Sequence, residues 1–213
     1  MPVGGRGVPE TVEVGVAVDR EDRVYLICRG DHPVIMYDNQ GNFKGSWGEG
    51  EFSHRTHGIY VAPDGTIYGT QTGDTNPDTW RIYKVTPQGQ SSVFYQGAPM
   101  NRPNGIAFDP QGNIVVCHIG TNDVHTFSPD GRLLKTEQAV DPGNDGLAIT
   151  ADGTKYVSSV MRGTISRIRP GQPAEIVASG IPSPASMTYD PKRNRLVVPM
   201  NDWNAIAFVE LGK

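Results

Sequence analysis

Residues Pro103–Gly120, PNGIAFDPQGNIVVCHIG, hold the pattern that decides the fold. A short alternating run, Ile106–Asp109, is followed by turn-forming residues at Pro110–Asn113. The next run, Ile114–Cys117, is rich in β-branched residues, which favour strands over helices. The stretch therefore predicts an inner strand, a tight turn and a second strand.

Similar units recur along the whole chain. Each begins with a small residue at the start of an inner strand, and the spacings between these anchors are 43, 47, 41 and 40 residues: Gly15, Gly58, Gly105, Gly146 and Ser186. A second turn follows in the first four units. A period of about 40–47 residues with four strands per unit is typical of a β-propeller blade. We therefore predict an all-β, single-domain propeller over residues 1–213, with five blades of four antiparallel strands.

The fifth unit contains only three predicted strands, the last of which is Ala205–Leu211. Residues 1–13 precede the first inner strand, and we expect them to supply the missing strand and so close the ring. The alternative is a disordered tail, because two prolines and three glycines within residues 1–9 make this segment a poor strand.

Composition excludes several classes of partner. The net charge is −4 and the 19 basic residues are scattered, which argues against a nucleic acid or an anionic membrane. No apolar run approaches the ~18 residues that span a bilayer, and Met1–Glu10 lacks the apolar core of a signal peptide. Cys28 and Cys117 are too few for a disulfide framework and are interpreted as buried thiols. We expect a soluble, cytoplasmic monomer that binds a small molecule.

Two family resemblances follow from the repeat sequences. Residues 15–69, with GVAVDREDRVY and APDGTIY, resemble NHL-repeat propellers related to peptidyl-amidoglycolate lyase. Residues 103–211, with NGIAFDPQGN, NDGLAITADGTKYVSS and SPASMTYDPKRNRLVVPMND, resemble the gluconolactonase and senescence-marker-protein group, which includes lactonases. Both groups usually have six blades. A five-bladed closure, a shortened relative and a recombinant of two related halves therefore remain open.

The residue before each anchor is a candidate site residue, because propeller inner strands begin together at the mouth of the central channel. These residues are Val14, His57, Asn104, Asp145 and Ala185. Three adjacent blades thus offer an imidazole, an amide and a carboxylate, which could bind one divalent metal ion. Asn144 lies beside this set. The alternative is that the channel lining is polar only because the channel contains water.

The resemblance to gluconolactonases implies a metal site at the same positions, but the match to its ligands is incomplete. Gluconolactonase-like proteins bind their metal through a Glu, an Asn and an Asp at the starts of inner strands, and the last two correspond to Asn104 and Asp145. The Glu has no match here. His57 comes from the lyase-like half, whose family uses channel histidines for zinc. One carboxylate is few for Ca²⁺, whereas Zn²⁺ tolerates a mixed set, so both ions remain candidates.

Hydrolysis of a lactone or ester would need a polarised carbonyl and an activated water, and one divalent ion can supply both. Asp145 is the candidate ligand and base. His118 is the candidate for proton transfer, although a single histidine is more often structural. Arg162 and Trp203 are candidates for contact with the substrate.

Three functions are therefore compared. The first is a metal-dependent hydrolase of a small lactone or ester, related to gluconolactonases. The second is a zinc-dependent lyase that acts on a hydroxyglycine-type carbon and depends on His57. The third is a non-catalytic NHL-type scaffold that binds a protein or ligand. The loop Gly73–Trp80 is either functional or an ordinary turn.

Overall fold

The computed structural model describes residues 13–50 and 52–212. The strands of the first two blades are β1 Glu13–Val18, β2 Val24–Cys28, β3 Val34–Tyr37, β4 Phe43–Trp47, β5 Thr56–Val61, β6 Ile67–Gln71, β7 Arg81–Val85 and β8 Ser91–Gln96. Those of the third and fourth blades are β9 Pro103–Phe108, β10 Ile114–His118, β11 Asp123–Phe127, β12 Leu133–Gln138, β13 Asn144–Ile149, β14 Lys155–Ser159, β15 Thr164–Ile168 and β16 Glu175–Ala178. The fifth blade contains β17 Thr188–Asp190, β18 Arg195–Met200 and β19 Ala205–Glu210.

Each blade is an antiparallel sheet whose strands follow one another in chain order. Four sheets have four strands, and the fifth has three within the described part of the chain. The predicted all-β propeller with five blades is confirmed. Glu13 is the first residue of β1 and lies opposite Cys28. The predicted closing strand otherwise falls on residues 1–12, which lie outside the described residues.

The tight turns follow from side-chain caps that recur in each blade. In the turn between β9 and β10, Asp109 Oδ1 accepts the amide hydrogens of Gln111 at 2.9 Å and Asn113 at 2.8 Å. Gly112 adopts a φ of 81°, which L side chains rarely accept. These contacts explain why Asp, Asn and Gly mark the turns between strands.

Glycine is the third residue of the first four inner strands because neighbouring blades approach too closely there for a side chain. A Cβ added to Gly58 would lie 2.4 Å from the carbonyl oxygen of Asn104, and one added to Gly105 would lie 2.4 Å from that of Asp145. The corresponding distance from Gly15 to the His57 carbonyl oxygen is 2.8 Å. Each anchor therefore packs against the backbone of the candidate residue on the next blade.

Hydrophobic clusters join each successive pair of blades from the first to the fifth. Their central side chains are fully buried, as shown by Ile27, Ile82, Val115 and Leu196. Cys28 and Cys117 are also buried and do not form a disulfide with each other, as predicted. The described residues include no helix long and apolar enough to cross a membrane.

The long loop of the second blade is held by its own polar residues. It contains a short 3₁₀ helix, Pro77–Thr79, which the Asn76 side chain caps by accepting from the amide of Asp78. Trp80 is buried, and its indole nitrogen donates to the carbonyl oxygen of Asp74 at 2.8 Å. These contacts favour the interpretation of Gly73–Trp80 as an ordinary, well-formed turn.

Candidate functional site

The five anchors surround one cavity on the propeller axis. Gly15, Gly58, Gly105, Gly146 and Ser186 all line it, and its volume is about 440 Å³. The repeat register deduced from the sequence therefore places the inner strands correctly. It follows that the residues just before the anchors lie together at one end of this cavity.

Asp145 is the centre of the group at the channel mouth. Asn104 Nδ2 donates to Asp145 Oδ2 over 3.4 Å, and His57 Nε2 lies 3.8 Å from the same oxygen. Asn104 and Asp145 are buried, with 1% and 5% of their surfaces exposed, while the His57 side chain is 17% exposed. The structure thus brings together the three side chains that the sequence assigned to one site.

A repeated contact between blades fixes the backbone of two of these residues. The Thr70 hydroxyl on β6 accepts from the amide of Gly58 at 2.8 Å and donates to the carbonyl oxygen of Asn104 at 2.5 Å. Cys117 on β10 occupies the equivalent place and points its thiol at the carbonyl oxygen of Asp145, 3.5 Å away. Thr70 and Cys117 therefore position Asn104 and Asp145 without facing the site themselves.

Burial sets the protonation of the central carboxyl. Desolvation raises the pKa of Asp145 from its ordinary value of 3.8 to about 6. The Asn104 amide, the positive charge of Arg29 and the Ser186 side chain and amide act against this rise. At pH 7 Asp145 is therefore mostly ionised, with a basicity well above that of an exposed aspartate.

The imidazole of His57 is neutral at physiological pH. Burial, with a further contribution from the positive charge of Arg29, lowers the pKa of His57 from 6.5 to about 4. At pH 7 the neutral imidazole of His57 therefore lies 3.8 Å from Asp145 Oδ2 and keeps a lone pair on one ring nitrogen.

Two contributors to this site were missed by the sequence reasoning. Arg29 follows β2, donates from Nε to the carbonyl oxygen of Thr56 at 3.3 Å, and places a positive charge near both His57 and Asp145. Its position in the loop after a second strand was the available signal. Ser186 replaces glycine at the fifth anchor, and this departure from the repeat could have identified its hydroxyl as a partner of Asp145.

The environment of His118 differs from the one expected of a residue that transfers a proton to or from a substrate. It is fully buried, its Nδ1 lies 3.0 Å from the carbonyl oxygen of Asp123, and its ring packs edge-on against His125. Burial lowers the pKa of His118 to about 4. No hydrogen bond or ion pair among the described residues joins it to His57, Asn104 or Asp145. The local contacts agree with the structural alternative.

Arg162 and Trp203 lie in the turns after β14 and β18, on the side of the channel mouth. Both are exposed, Trp203 with 67% of its surface. In the part of the chain that the structure describes, neither side chain has a hydrogen bond or an ion pair that fixes it over the site. Their assignment as substrate contacts stays a prediction.

Asn144 precedes Asp145 and is fully buried. Its Oδ1 and Nδ2 atoms both lack a hydrogen-bond partner among residues 13–50 and 52–212. Buried amides without partners are uncommon and indicate a missing ligand or water. Asn144 is therefore the residue best placed to add to the predicted set, although its amide makes no hydrogen bond to Asp145.

The three central side chains fit a divalent metal with a mixed ligand set. Within the described residues there is no group of three or more His, Cys, Asp and Glu that could hold an ion, so an ion at this site would also need the amide of Asn104. Asn104 Oδ1 and Asp145 Oδ1 are buried and lack hydrogen-bond partners. Catalytic zinc sites use three protein ligands and leave a further position open. The residues present therefore fit Zn²⁺ more easily than Ca²⁺, which usually takes six to eight oxygens.

Comparison with known proteins shows a similarity to one family over part of the chain. Residues 51–140 match the family model of the SMP-30/Gluconolactonase/LRE-like region. The match covers blades 2 and 3 and includes Asn104, whereas Asp145 lies just beyond it. It also begins inside residues 15–69, which were assigned by resemblance to NHL propellers. The SMP-30/gluconolactonase-like resemblance is confirmed, and it reaches further towards the N-terminus than predicted.

Solved structures share the fold of this chain at low sequence identity. A virginiamycin B lyase from Staphylococcus aureus is 14% identical, with a TM-score of 0.69 over 95% of this chain and 71% of that chain. A gluconolactonase from Xanthomonas campestris is 20% identical, with a TM-score of 0.64 over 86% and 67%. A chain of a nidogen/laminin complex is 19% identical, with a TM-score of 0.73 over 96% and 82%. No curated protein sequence matches. At these low sequence identities, the similarity to the solved structures shows a shared fold.

Proposed function

We propose that this protein is a metal-dependent hydrolase of a small lactone or ester, with its site at the mouth of the central channel. The observation that carries the proposal is the convergence of His57 and Asn104 on Asp145 Oδ2. The family match over residues 51–140 and the fold shared with gluconolactonases support the same reaction class.

His57, Asn104 and Asp145 would hold the metal ion. When bound, the ion supplies polarisation of a carbonyl oxygen and a lower pKa for a nearby water. His57 can serve because it is neutral at pH 7. Asn104 can be a ligand because a 180° rotation about its Cβ–Cγ bond would place Oδ1, instead of Nδ2, beside Asp145.

Asp145 also accepts a proton in the proposed reaction. Burial raises its pKa to about 6 in the metal-free protein, and a bound ion would lower that pKa, so Asp145 would be ionised at pH 7 and able to accept the proton of an attacking water. Water adds to the lactone carbonyl and gives its proton to Asp145, the ring C–O bond then breaks, and the proton passes to the departing alkoxide. The product is a hydroxy acid. Arg29 provides a positive charge near the oxygen that becomes negative.

Elemental analysis of the purified protein for Ca, Zn, Mn and Mg is the first test, followed by turnover of a lactone panel. We expect one bound ion per chain and loss of turnover after chelation. Asp145→Asn should lower kcat by at least about 10²-fold, whereas Asp202→Asn, at an exposed position in the loop after β18, should leave it unchanged. Full turnover after thorough chelation, or in Asp145→Asn, would refute the proposal.

Two alternatives keep support from particular observations. The neutral His57 at the mouth, and the fold shared with virginiamycin B lyases, suit a zinc-dependent lyase. The fold shared with a chain of a nidogen/laminin complex suits a protein-binding scaffold. A lyase would contain zinc, and His57→Ala would impair it most. A scaffold would contain no stoichiometric metal and would turn over no lactone. Light scattering would test the monomer that we propose for the hydrolase.

A further inference from the structure

We propose that the channel below the site receives an apolar substituent of the substrate, so that the preferred substrates are lactones or esters with an alkyl chain and not polyhydroxylated sugar lactones. The reaction class in this inference rests on the proposed function. The cavity itself, its walls and its position are independent of that function.

The cavity has the size and lining of a small-molecule pocket. Its volume of about 440 Å³ lies within the range of about 300–1,000 Å³ that is usual for ligand sites. Side chains from all five inner strands or their neighbours form an apolar wall, which includes Ile59, Ile106, Leu147, Met187 and Val197. Among the lining residues that the structure describes, only Ser186 and Thr188 carry hydroxyl groups.

The cavity begins directly below the three polar residues. Gly58, Gly105 and Gly146 line it, and each follows one of His57, Asn104 and Asp145 in the chain. One residue along a strand corresponds to a rise of about 3.3 Å. The substituent of a ligand whose carbonyl lies at Asp145 would therefore meet the apolar wall about one residue further along the strands.

The first and fifth blades both contribute residues to the cavity wall. Hydrophobic clusters join blade 1 to 2, 2 to 3, 3 to 4 and 4 to 5, but none of the clusters among the described residues joins blade 5 to blade 1. Val16 and Leu26 line the cavity from the first blade, and Val197 and Pro199 line it from the fifth. Val16 remains 61% exposed. Part of the apolar surface of the first blade is thus exposed beside the cavity.

The chemistry of the wall selects among ligands. Water in an apolar space lacks hydrogen-bond partners, so its replacement by an alkyl chain is favourable. A sugar lactone entering the same space would place several hydroxyl groups against side chains that offer almost no partners, and each unpaired hydroxyl would weaken binding. The cavity therefore favours ligands with a long alkyl chain over ligands with polar substituents.

The first test compares γ-butyrolactone, γ-octalactone, γ-decalactone and glucono-δ-lactone on the metal-loaded protein. We expect kcat/KM to rise with chain length by up to about fourfold per methylene, with glucono-δ-lactone at least tenfold below γ-decalactone. Val197→Trp, which fills the cavity from β18, should abolish the dependence on chain length. Val93→Trp, at an exposed position on β8, is the matched control and should keep it.

The second test uses binding, which separates this inference from the proposed function. Titration calorimetry with decanoate on the EDTA-treated protein should show binding at about one site per chain. Val197→Trp should lose it, whereas Val93→Trp should keep it. Decanoate binding without turnover of any lactone would refute the hydrolase and leave the apolar site in place. Lactone turnover without decanoate binding and without dependence on chain length would overturn the inference and leave the hydrolase.

Discussion

Thr70 donates its hydroxyl hydrogen to the carbonyl oxygen of Asn104 across the interface between blades 2 and 3, over 2.5 Å. The same hydroxyl accepts the amide hydrogen of Gly58. Ser158 makes the same pair of bonds between the amide of Gly146 and the carbonyl oxygen of Ala185. Ala185 has no polar side chain, so Ser158 provides a control with equal geometry and no candidate ligand.

Thr70→Val keeps the shape of the side chain and removes both hydrogen bonds. We expect it to lower the free energy of unfolding by about 1–3 kcal/mol, because a buried carbonyl and a buried amide lose their partner. Ser158→Val should cost a similar amount. Only Thr70→Val should also weaken metal binding measured by titration calorimetry, since it releases the backbone of Asn104. An equal effect of both variants on metal affinity would show that Thr70 has no positioning role.

Gly105→Ala tests the close approach of the inner strands. The new Cβ would lie 2.4 Å from the Asp145 carbonyl oxygen and 2.9 Å from the Cys117 sulfur. Backbone movement is therefore required, and we expect a loss of at least about 1–3 kcal/mol in thermal or urea unfolding. Gly45→Ala on β4 is the control, because nothing lies within 4 Å of its added Cβ. It should change stability by no more than about 0.5 kcal/mol.

The buried carboxyl of Asp145 gives stability a pH dependence of known sign. Its pKa is raised to about 6 in the folded state, against an ordinary 3.8. The folded state therefore binds more protons between these values, and this group's contribution to stability falls as the pH rises from about 4 to 6. Asp145→Asn removes the penalty, so in EDTA it should gain up to about 3 kcal/mol over wild type at pH 7 and nothing at pH 3.5.

Urea unfolding at both pH values measures this difference. Asp202→Asn, which is exposed, should follow wild type at each pH. If Asp145→Asn were no more stable than wild type at pH 7, the carboxylate would not be desolvated as the structure indicates.

The contribution of His57 to stability should change with pH in the opposite direction to that of Asp145. Its pKa is lowered to about 4 in the folded state from an ordinary 6.5. The unfolded state therefore binds more protons between these values, so this contribution is present above about pH 6.5 and is lost as the pH falls towards 4. In EDTA, His57→Gln should lose less stability than wild type on acidification from pH 7 to 4, while the exposed His54→Gln should lose as much. Equal losses in His57→Gln and wild type would contradict the burial of His57.

Local sequence determined the strands, the turns and the register. Alternating apolar residues and Asp, Asn and Gly at the turns act over a few residues, so they can be recognised without tertiary structure. The spacing of Gly15, Gly58, Gly105, Gly146 and Ser186 then placed His57, Asn104 and Asp145 at one end of the channel. The predicted proximity of these three side chains was correct because residues at the same position in successive blades lie close together around the axis of a propeller.

Other properties depended on distances between blades and on burial. The sequence could not show that His57 and Asn104 both approach the same oxygen of Asp145, that burial separates the pKa values of His57 and Asp145, or that Arg29 faces both. Nor could it show that His118, the candidate for proton transfer, packs against His125 inside the fold. Desolvation and charge act through space between residues that are far apart in the chain, so only the tertiary structure decides them.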